Sequence, residues 1–442
     1  MLVSQEENMR KKALVLAGGG TRGIYQAGVI EALKKYGMDD WNIITGTSVG
    51  ALNAAMLVQG DFDALTEMYE NLTSDQIING FVPNDRSIGS LIRDRNEVVP
   101  AFRAWLRDHG VDIGPFIEMV DRYYNPERFF ASDIDFGCIT ATQKNHDPVY
   151  VTKEMMKENG RDWLIASAAA YPAFPVKVIN DVGYVDGGYF DNCPVDFALR
   201  LGAEEVTVID LNDPVLHMNY MGREHITYIH PYGGLYDFLE FDQEKLRYAK
   251  RRGYLDGLKA AAQAVGHRFT FTPFTLPAFA DRWYLDTMLL ETAVKQNNPL
   301  TGGLYSEQII TDRIRSRTCL PSVGIMDYYL CVMDDLMEMC DFSDEKVYDM
   351  ESTLDLILEQ FQEASDPAYK VLPALDVMDI ASYIRTLDRK GIIMKLVHGL
   401  LYPEKDRLPE SLVLTVYHYE QAVADFIAGA LKEKADDQSR SV

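Results

Sequence analysis

Three short segments hold the residues that could do chemistry. Gly46-Thr47-Ser48-Val49-Gly50 has GxSxG spacing, with the strand-like NIIT before it and the apolar ALNAAMLV after it. In such a strand-turn-helix setting the serine sits on a sharp turn and its hydroxyl projects from the sheet edge as a nucleophile. Gly46 and Gly50 relieve crowding at the turn, and a helix starting at Val49 turns its positive end to the site. A serine that merely caps a helix is the competing account of these residues.

The second segment, Gly18-Gly19-Gly20-Thr21-Arg22-Gly23, follows the apolar run Ala13 to Ala17 and precedes an apolar-faced stretch from Ile24 to Lys35. A glycine-rich strand-to-helix turn exposes backbone N–H groups at a helix N-terminus, where negative charge is stabilised. That charge is either a pyrophosphate, since the segment also reads GxGxxG, or a transient oxyanion. A tight turn explains one of its glycines and leaves the others unexplained. A dinucleotide site needs an acid at the end of the next strand. Asp39 and Asp40 come before the strand at Asn42 to Thr45, which ends instead in the serine motif. The oxyanion is favoured.

The third segment is Asp186-Gly187-Gly188. An Asp-Gly pair between extended segments is a common hairpin turn. Here the glycines also let another backbone approach closely, as a buried base beside a serine requires.

The elements that must position these groups alternate in the first half of the chain. Strand-like segments at 13–17, 42–45, 137–142, 149–152, 176–179 and 206–209 are separated by helical stretches at 24–35, 49–58, 63–72, 88–107, 115–124 and 161–170. This order predicts an α/β sandwich with a mostly parallel sheet over residues 13–210. Pro214, Gly222, Pro231, Gly233 and Gly234 suggest a linker at 211–235. A mainly helical region is expected at 236–432, with periodic segments near 236–265, 283–298, 303–316, 324–340, 344–363, 374–387 and 408–431. Residues 433–442 read as a flexible tail.

Composition narrows the class. Of 442 residues, 47% are hydrophobic and 25% charged, and 43 basic against 67 acidic residues leave a net charge of -24. A body so acidic repels nucleic acid and has no general attraction for anionic membranes. Cys138, Cys193, Cys319, Cys331 and Cys340 are scattered, with no CxxC pair, as reduced thiols of a cytoplasmic protein would be. The polar start MLVSQEENMRKK is unlike a signal peptide. Trp41 to Gly60 carries no formal charge, yet its Asn, Thr, Ser and Gln suit a strand, turn and buried helix better than a membrane span.

The three segments, in this order, resemble the patatin-like phospholipase family. Ala166-Ser167-Ala168-Ala169-Ala170-Tyr171-Pro172-Ala173-Phe174-Pro175 also resembles that family's segment before the acid. The resemblance covers about residues 13–210 and implies a three-layer α/β/α sandwich bearing a lipid acyl hydrolase. It implies a dyad, with Ser48 as nucleophile and Asp186 as general base, and an oxyanion hole of Gly18, Gly19, Gly20 and Val49. Thr21, Arg22, Gly23, Gly46, Gly50, Gly187 and Gly188 would support these groups, with Arg22 locking its loop in preference to meeting a lipid phosphate. His109 and His146, the two histidines of this half, sit in no motif. No metal or cofactor is called for, and the expected partner is a lipid or acyl ester reached by transient contact with a membrane surface. The uncharged, aromatic Phe269 to Phe279 is a candidate for that contact, although packing is the preferred reading. A thioesterase or general carboxylesterase, a dinucleotide-binding oxidoreductase and a non-catalytic scaffold are the alternatives.

Overall fold

A continuous apolar strand needs cover on both faces, and Leu14, Val15 and Leu16 are fully buried. They belong to β1 (Lys12–Leu16), at the centre of an eight-stranded sheet. A computed structural model of the chain describes residues 10–77, 112–297, 310–367, 369, 388–404 and 408–440. It divides into two units, Met1–Ala264 and Val265–Val442.

The other strands of the first unit are β2 (Ile43–Thr47), β3 (Asp135–Thr142), β4 (Pro148–Thr152), β5 (Lys177–Ile179), β6 (Val182–Asp186), β7 (Glu205–Ile209) and β8 (Ile226–Ile229). Their order is β5-β6-β3-β2-β1-β7-β8, with β4 also paired to β3. Strands β1, β2, β3, β7 and β8 run parallel. Strands β4 and β6 run antiparallel to β3, and β5 antiparallel to β6. Helices surround this sheet. Among them, α1 (Gly23–Lys35) and α2 (Val49–Val58) follow β1 and β2 directly, and every residue of α2 is buried. Trp41 to Gly60 is thus strand, turn and buried helix. No helix among the described residues is long and apolar enough to cross a membrane.

One register matters most for the site. Strand β2 ends with Thr47 opposite Ile139, and β6 ends with Asp186 opposite Thr140. Two strand ends therefore meet on adjacent residues of β3.

The structure divides the chain later than the expected linker at 211–235, which holds β8. The buried Asp210 carboxylate accepts from the N–H groups of Leu211, Asn212 and Leu216 and from the Tyr228 hydroxyl at 2.7–3.1 Å, turning the chain back onto the sheet. Proline and glycine here shape a tethered turn. The helix Gln243–Ala260 belongs to the first unit as well and packs on α1. A Cβ at Gly28 would stand 2.0 Å from the Lys250 carbonyl, and one at Gly253 2.1 Å from that of Tyr25. The Tyr25 hydroxyl donates to Asp256 at 2.7 Å within this contact. The expected helices at 88–107 and 374–387, and His109, lie outside the described residues.

The second unit is mainly helical, with helices Phe279–Asn297, Ile310–Thr318, Ile325–Met339, Met350–Gln360, Arg389–Leu401, Glu410–Thr415 and His418–Arg440. The last helix runs through most of the expected tail because its inner face has partners. Glu433 accepts from the Phe279 N–H at 2.6 Å, and Lys434 pairs with Asp355. Only the ends of the Phe269–Phe279 stretch are core: Phe269, Phe271 and Phe279 are 1%, 0% and 9% exposed and Thr270–Phe271 pairs with Val347–Tyr348, while Thr272, Pro273, Thr275 and Ala278 between them are exposed. Phe271→Ala should therefore cost about 3–5 kcal/mol, as buried Phe truncations do. A denaturation midpoint for this unit shifted by less than 1 kcal/mol would show that the ring is not core.

Candidate active site

The nucleophile candidate is set by backbone geometry. Ser48 adopts φ 56° and ψ -127°, a conformation costing a non-glycine residue about 1–3 kcal/mol. The turn closes because its flanking residues lack side chains. A Cβ at Gly46 would lie 2.2 Å from the Gly50 carbonyl oxygen, and one at Gly50 2.2 Å from that of Leu16. The Ser48 N–H donates to Ser167 Oγ at 3.0 Å, and that hydroxyl donates to the Ile139 carbonyl at 2.7 Å. Ser167 thus ties the elbow to the residue of β3 where β2 ends.

Asp186 reaches the same point from β6. It is 7% exposed, its carboxylate accepts from the Gly188 N–H at 2.7 Å, and it lines the same cavity wall as Ser48. Burial pushes its pKa up to about 6, against the lowering effect of the Gly188 N–H and the Ser48 side chain. A carboxyl so tuned is ionised at neutral pH yet basic enough to take a proton. The following glycine allows the approach, since a Cβ at Gly187 would stand 2.1 Å from the Ile139 carbonyl.

The glycine-rich loop is held by its carbonyls. Gly18 O accepts from Asn192 Nδ2 at 2.9 Å while the Gly18 N–H donates to Asn192 O at 2.9 Å. Gly19 O accepts from the N–H and the Nε of Arg22, at 3.3 and 3.2 Å. Gly20, at φ 59°, turns the chain so closely under Phe238 that a Cβ would meet the Phe238 carbonyl oxygen at 1.9 Å. That carbonyl accepts from the Thr21 N–H at 2.7 Å.

Gly19, Gly20, Thr21, Arg22, Ser48, Val49, Asp186, Gly188 and Asn192 all line one cavity of about 410 Å³. Gly18, Gly23, Gly46, Gly50 and Gly187 stand behind it as packing positions. The walls are apolar, with Leu52, Met68, Leu72, Phe116, Met119, Phe174 and Leu216 among them. Phe238 and Phe241 line it too. Asn192 and Ser167 had no assigned role in the sequence reading. Only the Asn-Cys-Pro after the third motif, and the serine in the Ala-Ser segment, signalled them.

Among the described residues no histidine lines this cavity. His146 stacks on Tyr189, and His217 Nε2 is 3.0 Å from Asp191 Oδ1. Asp39 and Asp40 pair with Lys34 and Lys12 at 3.2 and 2.7 Å. Lys12 begins β1, so Asp40 lies at the end of the strand opposite the glycine loop, where it cannot serve a ribose bound there. Among the described residues no three His, Cys, Asp or Glu gather to hold a metal.

The site thus places a serine on a strand-to-helix elbow and a buried carboxyl on one cavity wall of an α/β sheet. Residues 14–199 match the family model described as patatin-like phospholipase. Lysophospholipase nte1 of Aspergillus terreus is 31% identical over 204 residues, 46% of this chain and 12% of that protein. YjjU of Escherichia coli K12 is 27% identical over 199 residues, 45% of this chain and 51% of that protein. The chain thus spans about an eighth of the fungal relative's length. Among solved structures, VipD from Legionella pneumophila aligns over 96% of this chain and 90% of its own, at 13% identity and a TM-score of 0.38.

Proposed function

We propose that this chain hydrolyses acyl esters of lipids, phospholipids before others, with Ser48 as nucleophile and Asp186 as general base. The observation that carries the reading is that Ser48, on its strand-to-helix turn, and the buried Asp186 line one wall of the same apolar cavity. Ser48 Oγ attacks the ester carbonyl as Asp186 takes its proton, and the tetrahedral oxyanion meets N–H groups of Gly19, Gly20 and Val49. The intermediate expels the alcohol, which receives the proton from Asp186, and leaves an acyl-enzyme. Asp186 then deprotonates a water that attacks the acyl carbonyl, and as this second intermediate collapses Asp186 returns the proton to Ser48 Oγ and the fatty acid departs. This chemistry calls for no cofactor. The scattered cysteines and net charge of -24 favour a cytoplasmic protein that meets lipid surfaces transiently and through apolar contact.

The test is a panel of phospholipids, lysophospholipids, acyl thioesters and short soluble esters, with Ser48→Ala as control. Turnover of phospholipid or lysophospholipid above that of the soluble esters, lost in the variant, is the expected result. Preference for the thioester or the short ester would replace it with the thioesterase or carboxylesterase reading. Turnover that survives in Ser48→Ala would end the serine mechanism.

A further inference from the structure

We infer that Asn192 is a positioning residue for the oxyanion-binding loop, acting through the Gly18–Gly19 peptide; the inference rests on the hydrolase reading above. Its side-chain amide donates to Gly18 O and its own carbonyl accepts from the Gly18 N–H, both at 2.9 Å. The peptide unit is planar and trans, so its C=O and N–H point in opposite directions. Anchoring the Gly18 carbonyl on Asn192 thus fixes where the Gly19 N–H points. The next peptide is fixed the same way by Arg22 on the Gly19 carbonyl. Two successive N–H groups are held before any substrate arrives, and such preorganisation is what makes a donor effective toward a developing charge.

The surroundings leave Asn192 little room to be anything else. A Cβ at Gly18 would stand 2.2 Å from Asn192 Oδ1 and 3.0 Å from Ser48 Cβ, so clamp, loop and nucleophile are mutually packed. Asn192 lies six residues after Asp186 on one strap. Along that strap the Asp191 carbonyl accepts from Thr47 Oγ1 at 3.0 Å, next to the nucleophile. The base, the elbow and the oxyanion loop are therefore all fixed to one short segment.

Because the oxyanion exists only in the transition state, a misdirected donor lowers kcat and leaves KM nearly unchanged. The variants are Asn192→Ala, which removes the clamp, and Asn192→Asp, which keeps its shape but sets an oxygen against the Gly18 carbonyl. Both are assayed on a soluble short-chain p-nitrophenyl ester, with inhibition by an alkyl trifluoromethyl ketone, whose adduct with the serine carries the oxyanion. We expect kcat to fall on the order of 100-fold, KM to stay within about twofold, and ketone inhibition to weaken in step with kcat. A kcat within threefold of wild type overturns the inference. So does ketone affinity that is unchanged, or a loss that follows the melting temperature. Should the Ala variant not fold, the Asp variant decides; failure of both makes Asn192 a folding residue. If wild-type turnover does not depend on Ser48, the hydrolase reading falls first; if it does and the variants keep their kcat, only the role of Asn192 falls.

Discussion

Ser48→Ala should lose at least about 10⁴-fold in kcat on whichever ester the wild type turns over best, since removing the nucleophile of a serine hydrolase can cost on the order of 10⁶-fold. A fluorophosphonate probe should label the wild type at Ser48 and leave the variant unlabelled. The backbone adds a second readout. At φ 56° and ψ -127° any side chain is strained, and glycine is not. Ser48→Gly, equally inactive, should be more stable than Ser48→Ala by about 1–3 kcal/mol. Equal melting temperatures for the two variants would show that the elbow stores no strain, and rapid labelling of the Ala variant would place the nucleophile elsewhere.

Asp186→Asn should lower turnover by about 10³–10⁴-fold, the upper range for removing a general base. In the wild type, kcat/KM should rise through about pH 6 and then level, because the ionised carboxylate is the active form and burial holds its pKa near 6. The stability consequence runs the other way. The folded state holds this proton more tightly than the unfolded chain, so the protonated, more stable fold persists below about pH 4. Stability is lost as pH rises from there through about 6, by about 3 kcal/mol in all. Asn has no charge to bury, so at pH 8 the variant should melt no lower than wild type, while at pH 4 the advantage disappears. An activity profile flat across pH 5–7 would remove Asp186 as the base. A variant that melts well below wild type at pH 8 would make the side chain a structural support.

Much of the site was legible because it is local. Ser48 and its helix, and the glycine loop after β1, are contiguous stretches whose residue types dictate their own turns. Asp186 was legible through the two glycines beside it. What escaped the sequence depends on distant partners. Ser167 is 119 residues from the elbow N–H it accepts from, and Asn192 is 174 residues from the carbonyl it clamps. Neither spacing has a periodicity to detect. The late division of the chain had a similar cause. Proline and glycine at 211–235 have the composition of a linker, and only the ring of donors around Asp210 makes them a turn that leads into β8. In Gln243–Ala260, Gly253 and Gly257 are poor helix formers, yet Gly253 is what lets α1 come close.

Adjacent residues of β3 hold the ends of both β2 and β6, and this has an evolutionary corollary. The spacing of the proposed nucleophile and base is set by a single peptide of the sheet, Ile139 to Thr140. Beyond the elbow and α2, the excursion that returns to β3 supplies Met68, Leu72, Phe116 and Met119 to the cavity wall. Insertions, deletions and substitutions in this excursion can reshape what the cavity admits without moving one reacting group against the other. Part of the cavity wall is thus encoded in a stretch of chain separate from the proposed nucleophile and base.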